Sequence, residues 1–395
     1  MSKAVEFDII VYGASGFTGR LVSEYLVNAY GGDASLKWAL AGRNLDKLVA
    51  VRSEIGASSS VALIEADGSN VASLDAMAKR TKVVLTTVGP FQLYGSDLVA
   101  ACVASGTDYV DLCGEPAWMR QMIDAHEAAA KASGARIVFS CGFDSIPSDL
   151  GVLMLQTIAK QKFGAAFPRV KGRVRRMKGA HSGGTAASLQ ATMAAAIKDP
   201  EILALLKNHF SLTPGFTGPK QPHGMKPEMD AGLDSWVAPF IMAAINTRNV
   251  HRTNFLLGHA YGTDFTYDEM IMTGPGAKGE AVANAIAGDK SMMSKDGPKP
   301  GEGPSRAERE AGHFDMLFVG EMADGRGARV SVQGDRDPGY GSTSKMIAES
   351  ALCLVRDIPN GPLRNRGGIW TPGALMGEPL TKRLAANAGL TFRTE

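Results

Sequence analysis

The sequence predicts an α/β protein built on a doubly wound parallel sheet, with an inserted α+β domain that contains an antiparallel sheet. Three observations carry this. Up to about Leu150, short β-branched runs alternate with helical stretches, the rhythm of a parallel sheet with crossover helices. Several of those runs are apolar on both faces, as strands between two helix layers should be. Beyond Leu150 the runs lengthen, alternate imperfectly and are joined by turn residues.

The first region offers strands at Phe7–Tyr12, Lys37–Ala41, Ala62–Ala66, Val83–Val88, Tyr109–Leu112 and Ile137–Phe139. In the second, Val170–Met177 and Phe265–Met272 read as strands. His313–Glu321 meets Ala328–Gly334 through Asp324-Gly325, a dipeptide that tolerates the positive φ of a hairpin turn. From Ser342 to Val355, Met346, Ile347, Ala351, Leu352 and Val355 recur at helical spacing, so this helix is expected to pack back onto the first region. The expected division is therefore residues 1–150, completed by 340–395, around an insert of 151–339. The 395 residues exceed one ordinary core. The Pro/Gly-rich stretches Leu212–Pro227 and Gly297–Pro304 read as long loops.

Forty-two Lys plus Arg stand against 40 Asp plus Glu without a dense basic run, which argues against a nucleic-acid partner. Cys102, Cys113, Cys141 and Cys353 lie far apart and without metal-ligand spacing, so reduced thiols and no metal are expected. The N-terminal residues run straight into a strand pattern, and no uncharged apolar run reaches the roughly 18 residues of a membrane span. A cytoplasmic protein without a transmembrane segment is expected. Peripheral membrane contact and homo-oligomerisation stay open.

The strongest local signal is the strand Ile9–Tyr12 followed by Gly13-Ala14-Ser15-Gly16-Phe17-Thr18-Gly19 and a helix. In this pattern Gly13 permits a sharp turn, Gly16 lets backbone N–H groups approach a pyrophosphate, and Gly19 allows close helix-to-strand packing. Ser15, Phe17 and Thr18 complete the candidate phosphate loop, and the sheet is read as Rossmann-type. The next strand ends in Gly42-Arg43-Asn44, where an NAD-selective site usually carries an acid. Arg43 instead offers a guanidinium to a 2′-phosphate, with Asn44 and Lys47 nearby, so NADP(H) is the expected cofactor. Asp67 is placed either to line the adenine pocket or to cap its own turn. Val88, Gly89 and Pro90, at the end of the fourth strand, are expected to approach the nicotinamide.

GASGFTGR at Gly13–Arg20, LAGRN at Leu40–Asn44, TTVGPFQLYG at Thr86–Gly95 and YVDLCGE at Tyr109–Glu115 form one joined pattern with CGFDSIPSDLG at Cys141–Gly151. SGGTAAS at Ser182–Ser188, GDRDPGYGSTSKMIAESAL at Gly334–Leu352 and GGIWTPGALMGEPL at Gly367–Leu380 extend it over nearly the whole chain. It resembles the saccharopine-dehydrogenase-like NADP-binding oxidoreductase family and, within it, the trans-acting enoyl reductase branch. The resemblance implies a Rossmann domain interrupted by a substrate domain. It also implies NADPH-linked reduction of a carbon–carbon double bond in a lipid or polyketide thioester, held by a polyketide synthase or acyl carrier partner and serving glycolipid assembly.

Such a reduction leaves an enolate whose oxygen needs oriented donors and whose α carbon needs a proton. Tyr94, just beyond the nicotinamide loop, is the first candidate donor, with a structural tyrosine as the alternative. Asp111, Cys113, Glu115, Asp144, Ser145 and Asp149 close the fifth and sixth strands and approach one rim. Asp144 is the candidate proton relay among them, against helix capping for Asp144, Ser148 and Asp149. His181, before Ser182-Gly183-Gly184-Thr185, is a third candidate. Pro239–Asn254, with Asn246, Arg248, His251 and Arg252, reads either as a helix presenting donors to substrate or as a solvated amphipathic helix. Arg169, Lys171, Arg173, Arg175 and Arg176 would either dock an acidic carrier or form the exposed face of a strand. Two rival functions remain beside enoyl reduction: a saccharopine-reductase-like dehydrogenase acting on an amino-acid imine, and a non-catalytic NADP(H)-binding regulator.

Overall fold

The computed structural model describes residues 5–179, 183–289 and 303–395. The first region supplies β1 (Phe7–Tyr12), β2 (Trp38–Gly42), β3 (Ala62–Glu65), β4 (Thr81–Thr86), β5 (Asp108–Val110) and β6 (Arg136–Val138). The second supplies β7 (Arg169–Lys178), β8 (Glu228–Asp230), β9 (Ser235–Pro239), β10 (Thr266–Gly274), β11 (His313–Glu321) and β12 (Gly327–Gly334). β13 (Gly368–Trp370) and β14 (Leu390–Thr394) follow near the C-terminus.

One sheet runs β13-β6-β5-β4-β1-β2-β3 with every pairing parallel. Ile9 and Val11 of β1 enter one core, and Ile10 and Tyr12 enter another. This two-sided burial explains why its strands read as continuous apolar runs. β4 ends at Thr86, earlier than expected, so Thr87–Pro90 form a loop beyond the carboxyl edge.

The other sheet runs β14-β12-β11-β7-β10-β9-β8. It is mixed, because β7 and β10 pair in parallel while the remaining pairs are antiparallel. A parallel pair needs a long crossover, and here the crossover carries the helices Gly183–Lys198, Pro200–Lys207 and Ala243–Leu256. The β11/β12 hairpin turns at Gly325 (φ +85°), as Asp324-Gly325 predicts.

The tail serves both sheets. Helix Thr343–Arg356 packs on β1, β4 and β5 and against helix Phe17–Tyr30. Its buried Glu349 accepts hydrogen bonds from Tyr25 (2.6 Å), Tyr30 (2.5 Å) and Arg383 (2.8 Å), joining three helices through one carboxylate. β13 then becomes the seventh strand of the parallel sheet, whereas β14 forms an edge of the mixed sheet beside β12. Among the described residues no helix is long and apolar enough to cross a membrane.

Helix Ala243–Leu256 departs from both expected readings: every residue from Ile245 to Asn254 is buried. Many of its polar groups are therefore spent on internal partners. Arg252 donates to the carbonyls of Leu212 (2.7 Å) and Ile369 (2.5 Å), with Glu127 at 3.6 Å. Arg248 donates to the carbonyls of Ala244 and Leu206. Burial pushes the His251 imidazole down to about 3, which keeps it neutral between the rings of Phe210 and Phe265. Truncating Arg252 removes the donors to two backbone carbonyls inside the protein, while Glu127 keeps Lys131 (2.8 Å) and the N–H of Ile369 (2.9 Å). Arg252→Leu is thus expected to cost about 3 kcal/mol of stability, read as a lowered midpoint in urea or thermal unfolding; a midpoint equal to the parent's contradicts this account.

Candidate functional site

The turn after β1 is shaped by what its glycines exclude. Gly13 sits at φ +87°, and a Cβ there would lie 2.6 Å from Val88 Cγ2 and 3.0 Å from Thr87 Oγ1. A Cβ on Gly19 would lie 2.2 Å from the carbonyl oxygen of Gly13. The turn thus packs against the Thr87 and Val88 side chains at Gly13 and against its own backbone at Gly19, where an added side chain would force the segments apart. Helix Phe17–Tyr30 starts at Gly16 with no side-chain cap and no acidic residue in its first turn. Its first N–H groups have no intrahelical acceptor and lie at the positive end of the dipole, an anion-binding arrangement. Ser15 is exposed beside the end of β2. Phe17 meets Tyr340 edge-on at 4.7 Å and lies beneath the Arg309 and Arg20 guanidinium groups, which anchors the helix start to the chain's later segment. Thr18 is half-buried beside it.

Arg43 stands exposed just past β2. Asn44 caps helix Leu45–Glu54, accepting from the N–H of Lys47 at 2.9 Å. Asp67 accepts from the N–H and hydroxyl of Ser69, each at 2.9 Å, and these bonds hold its carboxyl below the usual range. Tyr12 joins the group: burial, aided by Asp67 and opposed by Arg43, pushes its phenol up to about 12.

At the other end, Val88 and the cis Gly89-Pro90 peptide form the loop after β4. Glu115, which the sequence left among several rim acids, organises this end. Its carboxylate accepts from the N–H groups of Phe91 (2.9 Å) and Gln92 (2.8 Å) and from the Ser188 hydroxyl (2.8 Å). It thereby caps the helix Phe91–Tyr94 and tethers helix Gly183–Lys198, which Gln92 also reaches through Thr192 (3.0 Å). Tyr94 is 53% exposed on the last position of that short helix. His181 lies outside the described residues.

Burial raises three carboxyls on the rim to about 7, but their surroundings differ. Asp111 is filled by the Tyr109 hydroxyl and the N–H groups of Cys113 and Ser140, so it clamps the ends of β5 and β6 together. Asp149 accepts from Thr253 (2.5 Å) and the N–H of Gly373 (2.6 Å), joining helix Ile146–Phe163 to the tail. Asp144 is only partly buried, with its Oδ1 3.7 Å from where a Cβ of Gly114 would stand, and among the described residues its carboxylate bonds only to its own backbone. Of the three, Asp144 alone is partly exposed and alone has, among the described residues, no donor from another residue. None of Asp144, Ser148 and Asp149 caps the following helix, whose N-cap is Ser145.

The basic side chains of β7 are largely committed within their own sheet. Arg169 pairs with Asp268, Lys171 with Asp230 and Glu321, Arg173 with Asp230 and Asp268, and Arg175 with Asp315 and Glu395. Arg173 is fully buried, so its charge belongs to the fold and not to an exposed docking face.

Similarity to known proteins matches this geometry. The family model for the saccharopine dehydrogenase NADP-binding domain matches residues 9–138. A Mycobacterium tuberculosis protein provisionally named a trans-acting enoyl reductase is 40% identical, over 98% of this chain and 97% of its own. A Mycobacterium bovis protein named trans-acting enoyl reductase is 36% identical over 98% of each chain. Among solved structures, apo saccharopine dehydrogenase (L-Glu forming) from Saccharomyces cerevisiae shares the fold, with a TM-score of 0.55 at 12% identity, covering 98% of this chain and all of that one. NADP(H) is the cofactor of the matched domain, and the uncapped glycine turn with exposed Arg43 fits it. If Arg43 meets the 2′-phosphate, Arg43→Ala raises KM for NADPH roughly tenfold or more, the worth of a charge-assisted pair, and leaves that for NADH nearly unchanged. Equal effects on both in steady-state kinetics refute that role.

Proposed function

The chain belongs to the trans-acting enoyl reductase family and is an NADPH-dependent oxidoreductase; from that premise we propose that it reduces the double bond of an enoyl thioester carried by a separate synthase or acyl carrier. The observation that carries this reading is the 36–40% identity that runs through both sheets and the tail. The lipid or polyketide class of the acyl group is inferred from the same kinship.

Bound NADPH supplies a hydride. The chain's own part is to hold the two reactants, exclude water and manage one proton. The loop Val88–Pro90 brings backbone to the nicotinamide end, and Glu115 keeps helix Phe91–Tyr94 and helix Gly183–Lys198 beside it. Asp144, protonated below about 7 by its burial, donates the proton that the substrate's α carbon requires. Tyr94, beyond the cofactor loop, is the second donor, directed at the thioester oxygen.

Deuteride from labelled NADPH is expected at the β carbon of the reduced thioester; label on a carbon bearing nitrogen assigns the enzyme to imine reduction instead. Because the acid form of Asp144 is the active one, kcat should fall about tenfold per pH unit above its midpoint near 7 and level off below it. Asp144→Asn should lower kcat roughly a hundredfold or more and abolish that pH dependence. An unchanged profile in the variant excludes Asp144.

A further inference from the structure

Ser145 occupies the N-cap of helix Ile146–Phe163, yet its side chain makes no capping bond. A serine there ordinarily satisfies a free N–H of the first turn. The hydroxyl is turned elsewhere: its single proton is shared between the Asp144 carbonyl oxygen (2.5 Å) and Asn246 Oδ1 (3.2 Å), and its oxygen accepts from Asn249 Nδ2 (2.6 Å). Asn246 in turn donates through Nδ2 to Glu269 Oε2 at 2.8 Å, and the Tyr267 hydroxyl donates to Glu269 Oε1. All of these side chains are buried. The chain of contacts runs from the middle of the mixed sheet, through helix Ala243–Leu256, to the residue beside Asp144.

A second observation shows that the fold makes room for it. Gly172 lies inside β7, opposite Glu269 in the register. A Cβ there would stand 2.8 Å from Glu269 Cγ and 2.8 Å from the Tyr267 hydroxyl. Glycine inside a strand is costly and marks a close approach. Here the approach is that of a buried acid and its tyrosine, which a sheet does not need for its own stability.

We propose that Glu269, acting through Asn246 and Ser145, is a positioning residue that sets where the Asp144 carboxyl sits at the substrate end of the site. With both Glu269 oxygens engaged, the Asn246 amide cannot flip, so its oxygen faces Ser145 and its nitrogen faces Glu269. Ser145, held from two sides by Asn246 and Asn249, then fixes the Asp144 peptide. Titratable groups around Asp144 come from the segment after β5, where Cys113 lies within its electrostatic reach and Glu115 beyond. From helix Ala243–Leu256 the nearby residues are Ile245, Asn246 and Asn249, none of which titrates. From β10 the one acid linked to it is Glu269, through the relay. This inference rests on the donor role given to Asp144 above.

The test reads Asp144 directly, without turnover, by following its carboxyl carbon through a pH titration of ¹³C-Asp-labelled full-length protein free of nucleotide, with Asp144→Asn assigning the resonance. In Glu269→Leu and in Asn246→Leu the midpoint is expected to drop by about one unit or more as the loosened residue gains water. Glu269→Gln, which keeps an acceptor toward Asn246, should retain the parent midpoint. Ser145→Ala removes only a hydroxyl and should act like the leucine variants, so it replaces them if they do not fold. A parent midpoint near 7 that stays put in folded relay variants overturns the positioning role alone. A parent midpoint in the ordinary carboxylate range overturns the donor role and this inference together.

Discussion

Burying a polar helix constrains the whole molecule, because each donor and acceptor removed from water must find a partner inside the protein. Helix Ala243–Leu256 is such an element. Its Arg252 reaches backbone carbonyls of the Leu212 loop and of β13, and its Thr253 meets Asp149 and Thr371. Asn254 closes the loop that follows, accepting from the N–H of Tyr261 (2.7 Å) and donating to the carbonyl of Gly262 (2.8 Å). Asn246 and Asn249 engage the residue next to Asp144. The helix is therefore a shared bonding partner for both sheets, the long loop and the tail. A hydrophobic helix would have packed as firmly while leaving their relative register far less specified.

The cofactor end works by a different economy. There residues are chosen for the side chains they lack, as Gly13 and Gly19 show, because a Cβ at either would collide with the neighbouring segment. The rim beyond β4, β5 and β6 is built from carboxylates that bind the backbone N–H groups and hydroxyls of neighbouring segments. Glu115 organises two helices from one carboxylate, and Asp111 ties two strand ends that are adjacent in the sheet but about 29 residues apart in the chain. We read residues 1–150 with 340–395 as the NADP-binding unit and 151–339 as the inserted substrate unit, with β14 crossing back to close the insert's sheet.

What could be read from the chain was local in origin. β1 with its glycine turn, the β11/β12 hairpin at Asp324-Gly325, and the apolar stripe of helix Thr343–Arg356 each follow from periodicity or from a backbone conformation that few residues tolerate. The position of Arg43 just past β2 was legible for the same reason, since it follows directly from where that strand ends. Three-residue β13 was not, since so short a run has no period to detect, and the parallel β7/β10 pair has no local marker at all.

The same division holds for the rim. Sequence order alone placed Asp111, Asp144 and Asp149 in the segments that follow β5 and β6, and therefore at one edge of a doubly wound sheet. Only tertiary structure separated them. Donors from Tyr109, Thr253 and Gly373 fill two of the carboxyls, while none reaches the third from another residue among those described. Likewise the polar run Asn246–Asn254 looked solvated because its composition is that of a surface. Its burial is decided by partners more than a hundred residues away on either side, and no pattern within the run encodes where those partners will stand.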